Sequence, residues 1–497
     1  MARKSKVVDL PFLEPLDRSS GQLGRQLVHA LREAVSKGEL RPGDPLPSSR
    51  LLAASLEVSR GTIIEVYDQL LAEGVLESRR GAGTFVSRAI AQPSLGKQRK
   101  GRPITGSGPE TLPPMVAPFS EIAREFTPLP HVPFAISVPV GMAAPDDVWR
   151  RVGNRIRARG PGAPAGYGDP QGVAALREAI TDYVRRSRSV HCIPDQVVIT
   201  NGIQQALFIC CQLLLQDGDE AWVENPAYRG ITAILETFAR HTRTVRVPVD
   251  SEGIDVETGV TMARHARAAF VTPSHQYPLG VPMSMARRKA LLSWAKENSA
   301  WIVEDDYDSE LRYSGHPFPS LQGLDPERVL YLGTFSKVLF PSLRLGYAIV
   351  PQALASGFIG VRVLMDRHPP NAEQHVLAAF MSEGHLDRHI RKIRGVYAER
   401  QGQLVALLRR LISPELAHVQ PSDQGMHLVL WLNQNLNDLR VAESALGAGI
   451  AVRAVSPLFA RGTGRPGLVL GIGDFDSSIV EKAVKKLAVL LASGLAE

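Results

Sequence analysis

Three short stretches of this 497-residue chain carry side chains that could do chemistry. Apolar Val329-Leu330-Tyr331-Leu332 runs into Gly333-Thr334-Phe335-Ser336-Lys337, and Arg344 follows seven residues later. A lone Ser-Lys pair is uninformative, since an isolated lysine is most often a surface charge. Trp301-Ile302-Val303 reads as a buried strand and ends in Glu304-Asp305-Asp306-Tyr307-Asp308, five residues with four carboxylates. Crowded carboxylates repel one another and favour protonation. The run therefore suits a nearby cation or protonated ligand, a solvated strand end, or a magnesium site. Val197-Val198-Ile199 turns through Thr200-Asn201-Gly202 into Ile203-Gln204-Gln205-Ala206-Leu207. A strand turning through glycine into a helix aims free backbone N–H groups at one point, which suits a phosphate. Taken alone the signal is weak, because such turns join strands to helices in many folds.

Together the three stretches make one device. Pyridoxal 5'-phosphate needs an amine for its aldehyde, donors for its phosphate and an anion for its pyridinium nitrogen. Lys337 can supply the amine, forming the Schiff base. Ser336, Arg344 and the turn of Gly202, Ile203 and Gln204 can hold the phosphate. Asp305 can pair with the ring nitrogen. Tyr307, two residues on and so on the same face of an extended segment, can bond the ring hydroxyl.

Elements must position these groups. Length alone suggests about three units of ~150 residues. A composition of 44% hydrophobic and 22% charged residues is that of a globular chain and excludes a disordered or fibrous one. No run reaches the ~18 apolar residues of a membrane span, and the basic start leads into Leu10-Pro11-Phe12-Leu13-Glu14-Pro15, which is no signal-peptide core. The three cysteines, Cys192, Cys210 and Cys211, have no metal-ligand spacing. Neither a metal nor a disulfide framework is expected, and a cytoplasmic location is. Residues 134–497 alternate short apolar runs with helical stripes, the pattern of an α/β domain around a mainly parallel sheet. Residues 91–133 hold nine prolines and a basic first half (Lys97, Arg99, Lys100, Arg102), and read as an extended or mobile tether.

Charge is unevenly placed. The chain carries +7, and residues 1–105 hold 17 Lys and Arg against 11 Asp and Glu, leaving the remainder near neutral. A basic N-terminal fifth suggests a polyanion-binding module. There Leu23, Leu27, Leu31 and Val35 recur at helical spacing. Ser48 and Ser59 each precede an amphipathic stripe as N-caps do. The short gap between those stripes is the helix-turn-helix arrangement. Val75–Glu77 and Thr84–Val86 read as short strands joined by the basic hairpin Ser78-Arg79-Arg80-Gly81-Ala82-Gly83.

Several motifs then fall in order. Leu31-Arg32-Glu33, Gly38-Glu39-Leu40-Arg41-Pro42-Gly43, Leu46-Pro47-Ser48-Ser49-Arg50-Leu51-Leu52-Ala53, Val58-Ser59-Arg60 and Gly81-Ala82-Gly83-Thr84-Phe85-Val86 resemble the GntR-family winged helix over residues 17–88. The resemblance implies major-groove reading by the helix from Ser59, with Arg50, Ser59, Arg60, Thr62, Arg79 and Arg80 at the DNA. The order of the three chemical stretches, with Tyr167-Gly168-Asp169-Pro170-Gln171-Gly172, Leu176-Arg177 and Pro278-Leu279-Gly280, resembles the fold-type I aminotransferases of class I/II. That implies a PLP-dependent transferase body with a smaller C-terminal α+β lobe over about residues 380–497. It also implies Tyr167 reaching the cofactor phosphate of a partner subunit, and Tyr228, in Asn225-Pro226-Ala227-Tyr228, beside the cofactor.

Two departures bear on activity. Such aminotransferases usually place asparagine before the Pro-x-Gly turn, where this chain has Tyr277. They also carry a substrate-carboxylate arginine in a late strand, where Gly467-Leu468-Val469-Leu470-Gly471 has none; Arg453 or Arg465 is the substitute for an effector carboxylate. Winged helix (17–88), basic linker (89–133) and aminotransferase-like body (134–497) together resemble the MocR/GabR-type transcription regulators. The resemblance implies a homodimer on double-stranded operator DNA, off the membrane. Its body would sense pyridoxal phosphate itself, or an amino compound as external aldimine, and alter operator binding. The alternatives are a working aminotransferase that carries a DNA-binding domain, and a body that has lost its cofactor.

Overall fold

The computed structural model describes residues 16–90, 112–136, 138–140, 147–158, 160, 166–239, 241–315, 318–420 and 422–493. The chain divides into two compact units, Met1–Leu112 and Pro113–Glu497. In the first, α1 (Leu23–Ser36), α2 (Ser49–Leu56) and α3 (Arg60–Ala72) precede an antiparallel hairpin of β1 (Leu76–Arg79) and β2 (Gly83–Val86). Ser48 and Ser59 cap α2 and α3, their hydroxyls accepting from the N–H groups of Leu51 and Thr62. Between the two helices Glu57 adopts a left-handed conformation (φ +50°), which turns the chain within the short gap. Leu27, Leu31, Leu52, Ile63, Val66 and Leu70 close a small core, as their helical spacing requires.

The second unit opens on α4 (Val116–Glu125), in a segment read from its prolines as extended. Its aromatic face finds a partner: Phe119 lies 5.4 Å from Phe238, and Glu125 accepts from Arg229 Nε at 2.7 Å. The basic part of the tether, residues 91–111, lies outside the described residues.

Beyond it come α5 (Asp147–Ala158), α6 (Ala174–Arg188), β3 (Val197–Thr200), α7 (Ile203–Leu214), β4 (Glu220–Asn225), α8 (Arg229–Thr237), β5 (Arg243–Asp250), β6 (Gly253–Ile254), α9 (Val256–Ala263) and β7 (Ala268–Val271). Then follow α10 (Met285–Glu297), β8 (Trp301–Asp306), α11 (Leu321–Leu324), β9 (Val329–Thr334), β10 (Gly346–Ile349), α12 (Gln352–Asp366), α13 (Asn371–Ser382) and α14 (His385–Leu411). One eight-stranded sheet has the order β3-β10-β9-β8-β7-β4-β5-β6. Neighbours from β9 to β5 are parallel, and β10 runs antiparallel to both β9 and β3. The carboxyl ends of β3, β9, β8, β7 and β4 thus share one edge with the start of β10, the edge where sheets of this kind bind ligands. Helices cover both faces, and Trp222 stacks on Trp294 with ring centroids 3.9 Å apart. A second sheet, β11 (Ala417–Val419), β12 (His427–Leu432), β14 (Gly467–Gly471) and β13 (Arg453–Ala454) in that order, forms a lobe with α15 (Asp438–Gly447) and α16 (Ser477–Ala492). Among the described residues no helix is long and apolar enough to cross a membrane.

β8 runs on through its acidic residues and buries them, so the run is not a solvated strand end. Glu304 accepts from the N–H groups of Leu321 and Gln322 at the start of α11, both at 3.0 Å. Asp306 Oδ2 accepts from Arg188 Nε at 2.7 Å, Ser309 Oγ at 2.9 Å and Tyr331 OH at 2.5 Å. Burial disfavours charge on Arg188, and Asp306 more than offsets this. The two side chains are 3% and 0% exposed, and deleting one partner strands the other in low dielectric. Arg188→Met is expected to destabilise the second unit by ~3–5 kcal/mol, read as a lower denaturant midpoint of tryptophan fluorescence.

Candidate functional site

β3 ends in a turn at Gly202 (φ +83°), and α7 begins with no side-chain cap on its first N–H groups. From the start of β10, Arg344 reaches back and donates through Nη2 to Asn201 O at 2.9 Å. A Cβ on Gly202 would lie 3.3–3.4 Å from that guanidinium, so glycine both makes the turn and lets Arg344 lie over it. Ser336, just past β9, is buried, and its Oγ has no hydrogen-bond partner. A helix N-terminus, a guanidinium and a waiting hydroxyl make a cradle for a phosphate. Tyr228 stands beside it, its OH 3.2 Å from Gln204 Oε1.

The floor of the site is the end of β8. Asp305 is 8% exposed and its Oδ1 has no hydrogen-bond partner. Burial raises its carboxyl to about 8, the charges of Asp306, Glu224 and Asp308 add to this, and Lys337 opposes it. Burial likewise lowers the Lys337 amine to about 8, against the pull of Asp308 and Asp305. The amine therefore loses its proton far more readily than an exposed lysine, and the carboxyl is one that a nearby cation would ionise. Both orphaned atoms, Asp305 Oδ1 and Ser336 Oγ, are where a pyridinium nitrogen and a phosphate would need partners, so these residues fit pyridoxal phosphate.

Behind Tyr307 lies a group absent from the sequence expectations. His275 Nδ1 is 2.8 Å from Asp308 Oδ2 and 3.0 Å from Tyr307 OH. His427 donates through Nε2 to Pro278 O at 3.0 Å, and burial lowers its ring to about 3, so it is neutral. Ligand atoms of His275, Asp308 and His427 lie within 4.8 Å of one another. His275 bonds Asp308 and Tyr307 through Nδ1, and His427 bonds Pro278 O separately. The acidic run signalled Asp308; nothing in the β12 pattern signals His427, whose neighbours are apolar.

The two arginines named for an effector carboxylate part company. Arg453, on β13, is felt electrostatically at Tyr228, Tyr277 and Lys337. Arg465 instead lies 4.5 Å over the Trp431 ring, with Nη2 3.5 Å from His418. Tyr167 is 77% exposed, beneath the guanidinium of Arg367 at 4.4 Å. A cavity of about 1060 Å³ opens at the opposite ends of the strands, lined by Ser189, His191, Trp301 and Arg328. It contains none of the converging groups.

In the first unit Arg50, Ser59, Arg60 and Arg80 are exposed. Thr62 is half-buried, its Oγ1 2.8 Å from Ser59 Oγ, and Arg60 Nε reaches Ser49 Oγ at 3.5 Å. Arg79 is tied down: Nε and Nη2 donate to Glu77 Oε1 at 2.9 and 2.6 Å, and the guanidinium lies 4.4 Å over Phe85. Arg80, at the tip of the hairpin, is exposed.

Comparison with known proteins agrees with both units. Residues 134–468 match the family described as aminotransferase class I and II, and residues 23–86 match bacterial regulatory proteins of the gntR family. The probable rhizopine catabolism regulatory protein MocR of Rhizobium meliloti is 37% identical over 95% of this chain and 94% of its own. The HTH-type pyridoxine biosynthesis transcriptional regulator PdxR of Corynebacterium glutamicum is 33% identical over 98% and 100%. The α-aminoadipate aminotransferase LysN of Thermus thermophilus, solved with N-(5'-phosphopyridoxyl)-L-leucine, superposes with a TM-score of 0.67 at 27% identity, covering 73% of this chain and 92% of its own.

Asp305 sets a pH dependence. Its folded value of about 8 lies above the ordinary 3.8. The folded state therefore holds an extra proton between those values, and the associated stability is full below about pH 4 and lost as pH rises to about 8. Without cofactor, the melting temperature should fall across that window. Asp305→Asn, which cannot ionise, should fall less steeply, by the equivalent of ~3–5 kcal/mol at pH 8; calorimetric melts from pH 4 to 8 read the two slopes.

Proposed function

The chain belongs to the aminotransferase class I and II family and carries a gntR-family module, the architecture of MocR-type transcription regulators, and from that premise we propose that it holds pyridoxal phosphate on Lys337 and alters its binding of operator DNA when an amino compound engages that site. The observation that carries the reading is the meeting, at one sheet edge, of a lowered lysine, an orphaned buried carboxylate oxygen and an orphaned hydroxyl beside an uncapped helix start. When bound, pyridoxal phosphate supplies an aldehyde and an electron-withdrawing ring. This chain's residues do the rest. Lys337 presents an amine whose proton affinity burial has lowered, Asp305 offers the ring nitrogen a buried carboxyl that a cation would ionise, and Tyr307 addresses the ring hydroxyl. Arg344, Ser336 and the first turn of α7 hold the phosphate.

Two features favour a sensor over a catalyst. Tyr277 occupies the position before Pro278, its ring 5.9 Å from that of Tyr228 and 6.3 Å from that of Tyr307, which narrows the space above the floor. β14 is buried and has no arginine, so Arg453 is the cation left to hold an effector's anionic end. The effector class is then a small amine bearing a carboxylate or similar anion, with pyridoxal phosphate as the other signal. It can shift DNA binding only by its differential affinity for the two protein states. A second copy of the chain fits the exposed patch of Tyr167, Leu364 and Met365, from which Tyr167 would reach the partner's cradle. Action on chromosomal DNA corresponds to the cytoplasm.

Two experiments bear on this. The loaded protein should show a near-ultraviolet or visible cofactor band that is lost in Lys337→Ala, and sustained multiple turnover with amino donors and a keto-acid acceptor would overturn the sensor reading. Arg60→Ala should weaken binding to DNA upstream of its own gene by about 5- to 100-fold, the cost of one phosphate or base contact, at unchanged cofactor content.

A further inference from the structure

We propose that His275 is a positioning residue: its Nδ1–H is shared by the Asp308 carboxylate and the Tyr307 phenol oxygen, which leaves the Tyr307 proton to be donated to the 3-oxygen of pyridoxal phosphate. The inference rests on the cofactor reading above and extends it to a residue outside the cofactor's reach.

The protonated nitrogen of His275 follows from its surroundings. Asp308 is 1% exposed and needs a donor, which Nδ1–H supplies at 2.8 Å. Nε2 on the far side is buried and has no partner. Nε2 is unpaired in either neutral tautomer, and only the one protonated on Nδ1 keeps the bond to Asp308, so that tautomer is favoured. Glycines make room for the ring on that side: a Cβ on Gly280 (φ +73°) would come within 3.0 Å of Nε2, and one on Gly425 (φ +85°) would collide with the ring. With Nδ1 already carrying a proton, Tyr307 OH at 3.0 Å cannot donate to it and can only accept. The phenol's own proton is then directed elsewhere, toward the site.

Proton affinity at the nitrogen contributed by Lys337 depends on that direction. A donor to the neighbouring 3-oxygen stabilises its anionic form and so lets the nitrogen release its proton at lower pH. The other groups facing this nitrogen are Asp308, Asp305, Arg344 and Arg453. Tyr307 itself faces Asp308, Tyr277, Asp305 and Glu224. His427, its ring centroid 5.1 Å from that of His275, is neutral and does not titrate in the range concerned.

The test is the pH midpoint of the absorption band of the cofactor-loaded protein between pH 5 and 10. Tyr307→Phe should raise the midpoint by about one unit, a tenfold change in proton affinity. His275→Gln places its amide where Nε2 was and should move it at least half as far. His275→Asn keeps a donor at the Nδ1 position and should stay within about 0.3 unit of the parent. His275→Gln in the Tyr307→Phe background should add nothing, because the histidine acts through the phenol. The proposal fails if Tyr307→Phe leaves the midpoint alone, if His275→Gln matches the parent, if His275→Asn moves as far as His275→Gln, or if the double variant exceeds Tyr307→Phe. If His275→Gln takes up no cofactor, ¹⁵N shifts of the His275 ring in the loaded parent decide: a proton on Nδ1 supports the proposal and one on Nε2 overturns it. A parent with no Lys337-dependent band would instead overturn the cofactor reading itself.

Discussion

Four carboxylates within five residues have been taken out of water at the end of β8, and the body is arranged around keeping them there. Each draws its compensation from a different element. Glu304 caps α11, Asp306 is held by Arg188 from the end of α6, and Asp308 meets His275 from the turn after β7. Asp305 Oδ1 is left without a partner, as is Asp306 Oδ1, whose bonds all fall on Oδ2. The unpaired oxygen of Asp305 would suit the cationic ring nitrogen of the proposed cofactor. Fully satisfied, the strand end would be inert; without its partners it would not be buried at all.

The sheet edge turns that deficit into a site with direction. Because β3, β9, β8, β7 and β4 present the same ends to one crevice, a phosphate cradle, an amine and an acidic floor are brought together by strand order. Tyr228 begins α8, so the residue beside the cradle is continuous with a helix held at Arg229 by Glu125 of α4 and by Glu236. The segment that follows the tether is thus fastened one residue away from the site's aromatic wall.

How much of this was legible depends on the range of the interaction involved. Helix caps at Ser48 and Ser59, the Gly202 turn and the Ser336-Lys337 stretch are determined within a few residues, and all were readable. Arg79, expected at the DNA, is bound by Glu77 two residues before it on β1, a pairing that strand alternation places on one face. The segment that holds α4 was read as extended or mobile because of its prolines, and the helix there packs Phe119 against Phe238. His427 sat unnoticed in an apolar strand.

By itself the sequence determined the kinds of chemistry present and their order: a basic capped-helix module, a glycine turn, an acidic strand end and a lysine after a buried strand. Such features are set by backbone hydrogen bonding and periodicity between near neighbours. Tertiary structure alone decided which carboxylate oxygens stay unpaired, that Arg453 joins Arg344 near the lysine, and which histidine stands behind the phenol. Arg188 and Asp306 are 118 residues apart, and charge compensation in a buried site is a matter of distance in space, which no local pattern records.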